Sequence, residues 1–148
     1  MIAPFVSGFA HPLGGADHFF AMTAVGVWAV LAGGRAIWIW PSAFVATMLA
    51  GFAAAISGLQ MPLVEPVIWS SSIVLGLLIA LTVQAPIWLG AAIIGLFAFF
   101  HGHAHGTEAT AASLVLYGAG FAVATAALHA AGIWLALFAR INFERRLT

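Results

Sequence analysis

Residues 86–108 read PIWLGAAIIGLFAFFHGHAHGTE, and this stretch decides the fold class of the chain. An apolar run follows Pro86, and no charged side chain occurs before Glu108. A helix needs about 20 mainly apolar residues to cross a bilayer, because each residue rises about 1.5 Å. Proline is well suited to the first turn of a helix. The stretch therefore predicts a membrane-spanning helix with three histidines near its C-terminal end.

The whole chain shares this composition. Of its 148 residues, 64% are hydrophobic and 5% are charged, and the mean hydropathy is +1.14. Soluble domains carry about 25% charged residues, so we predict an integral membrane protein embedded in a lipid bilayer. The net charge is zero and the charges are dispersed, which excludes nucleic acid as a partner. The absence of cysteine excludes thiolate metal sites, and four methionines without a repeated motif argue against copper(I).

The apolar stretches predict an all-α, polytopic membrane helix bundle that forms a single transmembrane domain over residues 1–148. We expect about five transmembrane helices, at residues 12–31, 37–57, 66–83, 86–105 and 111–138. Four arginines fall at one predicted end of the bundle: Arg35, Arg140, Arg145 and Arg146. Because cytoplasmic loops are enriched in Lys and Arg, this pattern places the N-terminus outside and the C-terminus in the cytoplasm. Glu65 and Glu108 then lie outside.

Most of the polar chemistry falls in two short clusters. One holds His11, Asp17 and His18, and the other holds His101, His103, His105 and Glu108. Ionisable side chains inside a membrane are costly and usually serve a function. His18 lies about 21 Å from the predicted cytoplasmic end of its helix, and His101 lies about 22 Å from that end of its own. The matching depths predict that the clusters converge if the first and fourth spans are neighbours.

Helical spacing separates the histidines further. His11 and His18 are seven residues apart, about two turns, so we expect them to share a helix face, and the intervening Gly14-Gly15 can loosen the turn between them. In the second cluster, residues at i, i+4 and i+7 form one stripe: His101, His105 and Glu108. His103 points away from that stripe. We expect it to be a solvated bystander at the end of the span, or an additional residue of the pathway.

Imidazole and carboxylate without thiolate suit a borderline divalent ion such as Ni²⁺, Co²⁺ or Zn²⁺. We predict a metal site with six candidate ligands: His11, Asp17, His18, His101, His105 and Glu108. Asp17 is either a direct ligand or a residue that orients His18. His129 lies about 16 Å from the inner end, and it is either a packing residue or a second stop along the path. Glu65 is expected to be a solvated loop residue, or a residue that attracts the metal ion at the entrance.

Three functions are compatible with such a site. The leading hypothesis is a permease that imports a divalent metal ion and is not an enzyme. The alternative is a membrane-embedded metal-dependent hydrolase with Glu108 as general base, although the chain lacks an HExxH motif. A haem protein ligated by His101 and His129 fits less well, because carboxylates and other histidines beside them suit a small cation. The sequence leaves the oligomeric state open, a homo-oligomer included.

Two motifs resemble signatures of the HupE/UreJ family. They are HPLGGADH at 11–18, followed by Ala21-Met22, and FHGHAHGTE at 100–108. The segment ATAALH at 124–129 is similar to that family's fifth helix. The resemblance implies a nickel permease of the bacterial inner membrane, with cobalt as an alternative cargo, that supplies hydrogenase or urease maturation. It implies metal handling by the six candidate ligands named above.

The sequence departs from the family pattern at both ends. Family members usually begin with a cleavable signal peptide, and many carry a further apolar helix near the C-terminus. Met1 to Ala10 lack the basic segment of a signal peptide. We therefore expect either a short member of the family or a chain whose ends are missing.

Overall fold

The computed structural model describes residues 2–109 and 113–145, with side chains as far as Arg140. Six α-helices occupy these ranges, and no strand occurs within them: α1 Ala3–Gly14, α2 Ala16–Ala32, α3 Ala36–Ile56, α4 Val64–Ala80, α5 Ile87–Glu108 and α6 Leu114–Arg145. The prediction of an all-α membrane helix bundle is confirmed. The expected start of the last span at 111, Arg146, and the side chain of Arg145 lie outside the described residues.

The first predicted span, 12–31, is not one continuous helix, and this expectation was wrong. α1 ends at Gly14, α2 begins at Ala16, and the two helices are bent by 84° relative to each other. Gly15 between them has an extended backbone, with φ −104° and ψ 121°. Glycine weakens a helix because it loses more conformational entropy than other residues on folding. His11 and His18 therefore lie on two helices, and they do not share a helix face.

The number of membrane-crossing segments follows from helix length. Three helices are long and apolar enough to cross a bilayer: Ala36–Ile56, Ile87–Glu108 and Leu114–Arg140. The bent pair α1–α2 makes a fourth if it counts as one broken span. α4 is apolar but has 17 residues, fewer than the about 20 that a straight crossing needs. Against the five predicted spans, the structure thus has three long helices, one bent pair and one shorter helix.

Close helix packing positions the histidine-bearing helix α5. A Cβ at Gly102 would overlap the carbonyl oxygen of Met48, and one at Gly51 would overlap that of Phe99. Small residues let helix backbones approach closely in a membrane protein. α5 therefore lies directly against α3, and this contact fixes the height at which its histidines face the bundle interior.

The two ends of the bundle differ in charge. Arg35 lies between α2 and α3, and Arg140 shares a surface with Leu31 and Thr82 at that same end. At the opposite end, Glu65 and Glu108 line one cavity. Glu65 and Glu108 thus lie at the end of the bundle opposite to Arg35 and Arg140, as the sequence pattern predicted.

A pair of tryptophans closes the arginine-bearing end of the bundle interior. Trp28 and Trp40 are fully buried, and their ring centroids lie 4.4 Å apart. The Trp28 indole N–H donates to the Val83 carbonyl oxygen and the Trp40 indole N–H to that of Ile87, both at 2.9 Å. Both indole donors are therefore satisfied, and the two rings fill the bundle interior at this end.

Candidate metal centre

The two histidine clusters meet in the structure. The ring centroid of His18 lies 5.0 Å from that of His101 and 4.5 Å from that of His105. The ring of His11 lies 4.6 Å from that of His105. Four imidazoles from α1, α2 and α5 therefore form one continuous group at the acidic end of the bundle.

The break at Gly15 is what brings His11 into this group. Because α1 turns away from α2 by 84°, His11 approaches α5 from the side. Its Nε2 lies 3.4 Å from Oε2 of Glu108. On a straight helix, His11 would stand about 10 Å further along the axis than His18. The bend shortens that separation and gives a ring-centroid distance of 6.5 Å between the two.

Three of the predicted ligands form the tightest group. His11, His105 and Glu108 each offer one ligand atom, and these atoms lie within 4.8 Å of one another. Metal bonds to histidine nitrogen and carboxylate oxygen are about 2.0–2.2 Å long, so small side-chain movements let all three contact one ion. His105 is fully buried, whereas His11 and Glu108 are exposed. The group therefore has one anchored ligand and two that face the opening.

Asp17 and His18 form a second, more enclosed pair. Oδ1 of Asp17 lies 2.9 Å from Nδ1 of His18, and both side chains are largely shielded from solvent. Both ring nitrogens of His18 are buried, and neither makes a hydrogen bond of good geometry, so Asp17 contacts His18 as a close ion pair. A carboxylate beside one imidazole nitrogen commonly orients the other towards a metal. Of the two roles predicted for Asp17, this geometry favours orientation of His18.

His101 and His105 present free nitrogens to the same region. The Nδ1–H of His101 donates to the carbonyl oxygen of Phe97 at 2.8 Å. A carbonyl oxygen only accepts, so Nδ1 carries the proton, and Nε2 of the neutral ring keeps a lone pair. That Nε2 is buried without a hydrogen-bond partner, as are both ring nitrogens of His105. Such lone pairs are the form in which imidazole binds a metal.

An open cavity of about 540 Å³ leads to this group. Its wall includes Asp17, Glu65 and Glu108, which are three of the four acidic residues of the chain, and neither of the arginines whose side chains the structure describes. A cleft lined by charges of one sign attracts ions of the other sign. The cavity therefore favours entry of cations. Glu65 lies in the first turn of α4, is exposed and lines this cavity, so a metal-attracting role at the entrance stays a prediction for it.

His103 does not join the group. It is buried, with 3% of its surface exposed, so the expectation of a solvated side chain was wrong. Its Nε2–H donates to the carbonyl oxygen of Leu59 at 2.7 Å and ties α5 to the loop after α3. The helical spacing had predicted that it points away from the ligand stripe, and this contact agrees with that direction.

His129 lies deeper in the bundle. It is 1% exposed, and its Nδ1–H donates to the carbonyl oxygen of Met22 at 2.7 Å. Its Nε2 has no hydrogen-bond partner. The fully buried ring of Phe44 lies between the two histidines, 5.7 Å from His101 and 4.9 Å from His129. Sequence reasoning had not identified Phe44, because a single phenylalanine in an apolar helix carries no distinguishing signal.

Two comparisons with known proteins found matches to the chain. Residues 2–147 match the family described as HupE / UreJ protein. The chain is 46% identical over 132 residues to the Protein HupE of Rhizobium leguminosarum bv. viciae, and the match covers 88% of this chain and 69% of that protein. No solved structure matches the chain.

Proposed function

Because the chain belongs to the HupE/UreJ family, we propose that it is a permease that carries Ni²⁺ into the bacterial cytoplasm across the inner membrane. Co²⁺ is the second cargo that this proposal admits. The observation that supports it best is the acidic cavity, which is lined by His11 and His18 and lies beside four converging imidazoles, three of which have buried, unpartnered nitrogens. We further propose that the imported ion supplies hydrogenase or urease maturation.

Capture of the ion begins at the cavity mouth. Asp17, Glu65 and Glu108 raise the local concentration of cations there. His11 and Glu108 then replace part of the water shell of the ion, and the buried His105 provides the inner ligand. Two of these three ligands are exposed to the cavity. This suits transport, because an ion that binds too tightly is not released.

Transfer inward uses the remaining imidazoles in order of depth. His18 lies between His105 and His101, with ring distances of 4.5 and 5.0 Å. An ion can therefore pass from one nitrogen to the next without losing all of its ligands. His129 is the next free nitrogen along the route, beyond Phe44. The arginine-bearing end would face the cytoplasm, in accordance with the positive-inside rule.

The donor set supports the choice of cargo. Imidazole nitrogen and carboxylate oxygen suit borderline divalent ions, whereas Mg²⁺ and Ca²⁺ favour oxygen alone. Zn²⁺ accepts the same donors, so a competition assay must separate the three ions. We expect Ni²⁺ and Co²⁺ to compete with each other at this site and Mg²⁺ not to compete.

Transport into vesicles tests the proposal. The purified protein is reconstituted with a nickel-sensitive dye inside, and Ni²⁺ entry is measured for wild type, His18→Ala and His101→Ala. His103→Gln is the matched control, since it alters a buried histidine that bonds to Leu59 and lies outside the imidazole group. We expect entry to fall at least tenfold in the first two variants and to persist in the control. Undiminished entry in His18→Ala and His101→Ala would refute the proposed route.

A further inference from the structure

A second group of metal-binding atoms lies below the four imidazoles. Met22 on α2 and Met48 on α3 are both fully buried, and their sulfur atoms point to one place. The hydroxyl oxygen of Thr125 lies 3.4 Å from the sulfur of Met22 and 3.5 Å from that of Met48. Two methionines that are 26 residues apart in the sequence thus meet around one hydroxyl group.

The hydroxyl of Thr125 behaves differently from other threonine hydroxyls in this bundle. Those of Thr47 and Thr107 donate to carbonyl oxygens of their own helices at 2.7 Å, as threonine usually does inside a helix. Thr125 instead contacts the two sulfurs. It has one proton to donate, so at least one thioether keeps its lone pairs free in a fully buried place.

His129 lies next to this group. It follows Thr125 by one helical turn, so both side chains are on the same face of α6. Its Nδ1–H bonds to the backbone of Met22, which leaves Nε2 buried with a free lone pair. The histidine is therefore held against the residue that provides one of the two sulfurs.

We infer that Met22, Met48 and His129 form a binding site for a soft monovalent cation of the Cu(I) or Ag(I) class. Thioether sulfur is a soft ligand that selects such ions over borderline divalent ones. Methionine has three rotatable bonds, so both sulfurs can close on an ion when the Thr125 hydroxyl turns aside. The sequence alone argued against copper(I), because the two methionines form no motif. The fold brings them together.

The site bears on the proposed transport, since it includes His129, which is also part of the proposed route. A soft ion held there would block the passage of Ni²⁺. This consequence rests on the proposed function, whereas the binding site itself does not.

X-ray absorption at the silver edge tests the site directly. The purified full chain in detergent is loaded with one equivalent of Ag⁺, a soft ion that does not change its oxidation state. The chain has no cysteine, so any sulfur ligand must come from methionine. We expect a sulfur shell in wild type and its loss in Met22→Leu/Met48→Leu, with at least tenfold weaker Ag⁺ binding. Leucine conserves the volume of methionine, and helicity and elution volume are measured to verify folding.

Met61→Leu is the matched control, because Met61 lies in the loop between α3 and α4. It should keep the sulfur shell, and the single variants Met22→Leu and Met48→Leu should each lose about half of it. A wild-type spectrum without sulfur, or a sulfur shell that persists in the double variant, would overturn the inference. If Ni²⁺ entry is absent even in wild type while the sulfur shell is present, the proposed transport fails and the soft-ion site stands.

Discussion

Replacement of Asp17 by asparagine tests how the enclosed carboxylate contributes to metal binding. Asparagine keeps the size of the side chain and its oxygen next to Nδ1 of His18, which lies 2.9 Å away in the wild type. It removes only the negative charge. The structure thus allows the electrostatic effect of Asp17 to be measured without loss of the imidazole orientation.

The magnitude follows from the geometry. We consider an ion bound to Nε2 of His18. The Asp17 carboxylate lies 2.9 Å from Nδ1 on the other side of the ring, and a metal bond to Nε2 is about 2.1 Å long. With the width of the ring between them, the ion lies about 7 Å from the negative charge. For a divalent ion, Coulomb attraction over that distance is about 1 kcal/mol at the dielectric constant of water and about 5 kcal/mol at an effective value near 20. Asp17 is largely shielded but borders the cavity, so an intermediate value applies. Loss of a carboxylate that contacts a metal-binding histidine typically lowers the metal affinity by about 10- to 100-fold. This corresponds to about 1.4–2.8 kcal/mol of binding free energy.

Equilibrium titration with Ni²⁺ at low ionic strength measures this change. We expect Asp17→Asn to raise the Kd for Ni²⁺ by about 10- to 100-fold relative to wild type. Circular dichroism shows whether the helix content is retained. A Kd within twofold of wild type would refute the reasoning, because it would mean that the Asp17 charge is not felt at the imidazoles.

Three further predictions concern the cavity, the packing and the protonation of the site. Glu65→Gln removes a cavity charge that forms no ion pair with the described histidines. In stopped-flow binding, we expect Ni²⁺ to associate more slowly and with a weaker salt dependence, while the dissociation rate stays nearly unchanged. An unaltered association rate at low salt would contradict this. Gly102→Ala places a methyl group against the Met48 carbonyl and should lower the free energy of unfolding by about 1–3 kcal/mol. Gly76→Ala meets no atom within 4 Å and should be neutral or stabilising in the same denaturant titration, so equal losses in the two variants would argue against the close α3–α5 contact. Acidification should weaken Ni²⁺ binding in the same equilibrium titration, because metal and protons compete for the imidazole nitrogens; affinity that is independent of pH would exclude histidine ligands.

The sequence predicted the helical class and the location of the polar site for a physical reason. In a chain with 5% charged residues, each buried imidazole or carboxylate needs a compensating partner. His18 and His101 were therefore informative, and counting helical rise from the predicted inner ends placed them at the same depth. Helical spacing likewise predicted that His101 and His105 lie on one face of their helix.

The bend at Gly15 could not be read from the sequence. Two adjacent glycines permit a break in a helix but do not require one, and the extended conformation of Gly15 is set by the packing of α1. A Cβ at Gly8 of α1 would overlap the Tyr117 carbonyl oxygen of α6. This contact between distant residues turns α1 across the bundle and so brings His11 to Glu108.

The inner part of the route was also hidden in the sequence. Met22, Phe44 and Met48 have the hydropathy of ordinary core residues, and only their tertiary neighbours distinguish them. The sequence left the role of Glu65 open for a related reason, since a carboxylate just before an apolar helix looks the same whether it faces bulk water or a cavity. The sequence thus predicted a functional role for polar residues inside apolar helices. The roles of apolar residues near the route, and of polar residues at helix ends, required the structure.

Anomalous scattering at the nickel edge from crystals soaked in Ni²⁺ is the most direct test of the proposed metal centre. The account predicts a peak at the inner end of the acidic cavity, within bonding distance of His105 and of at least one of His11 and Glu108. Nickel bound only at the outer surface, with none at these three side chains, would contradict it.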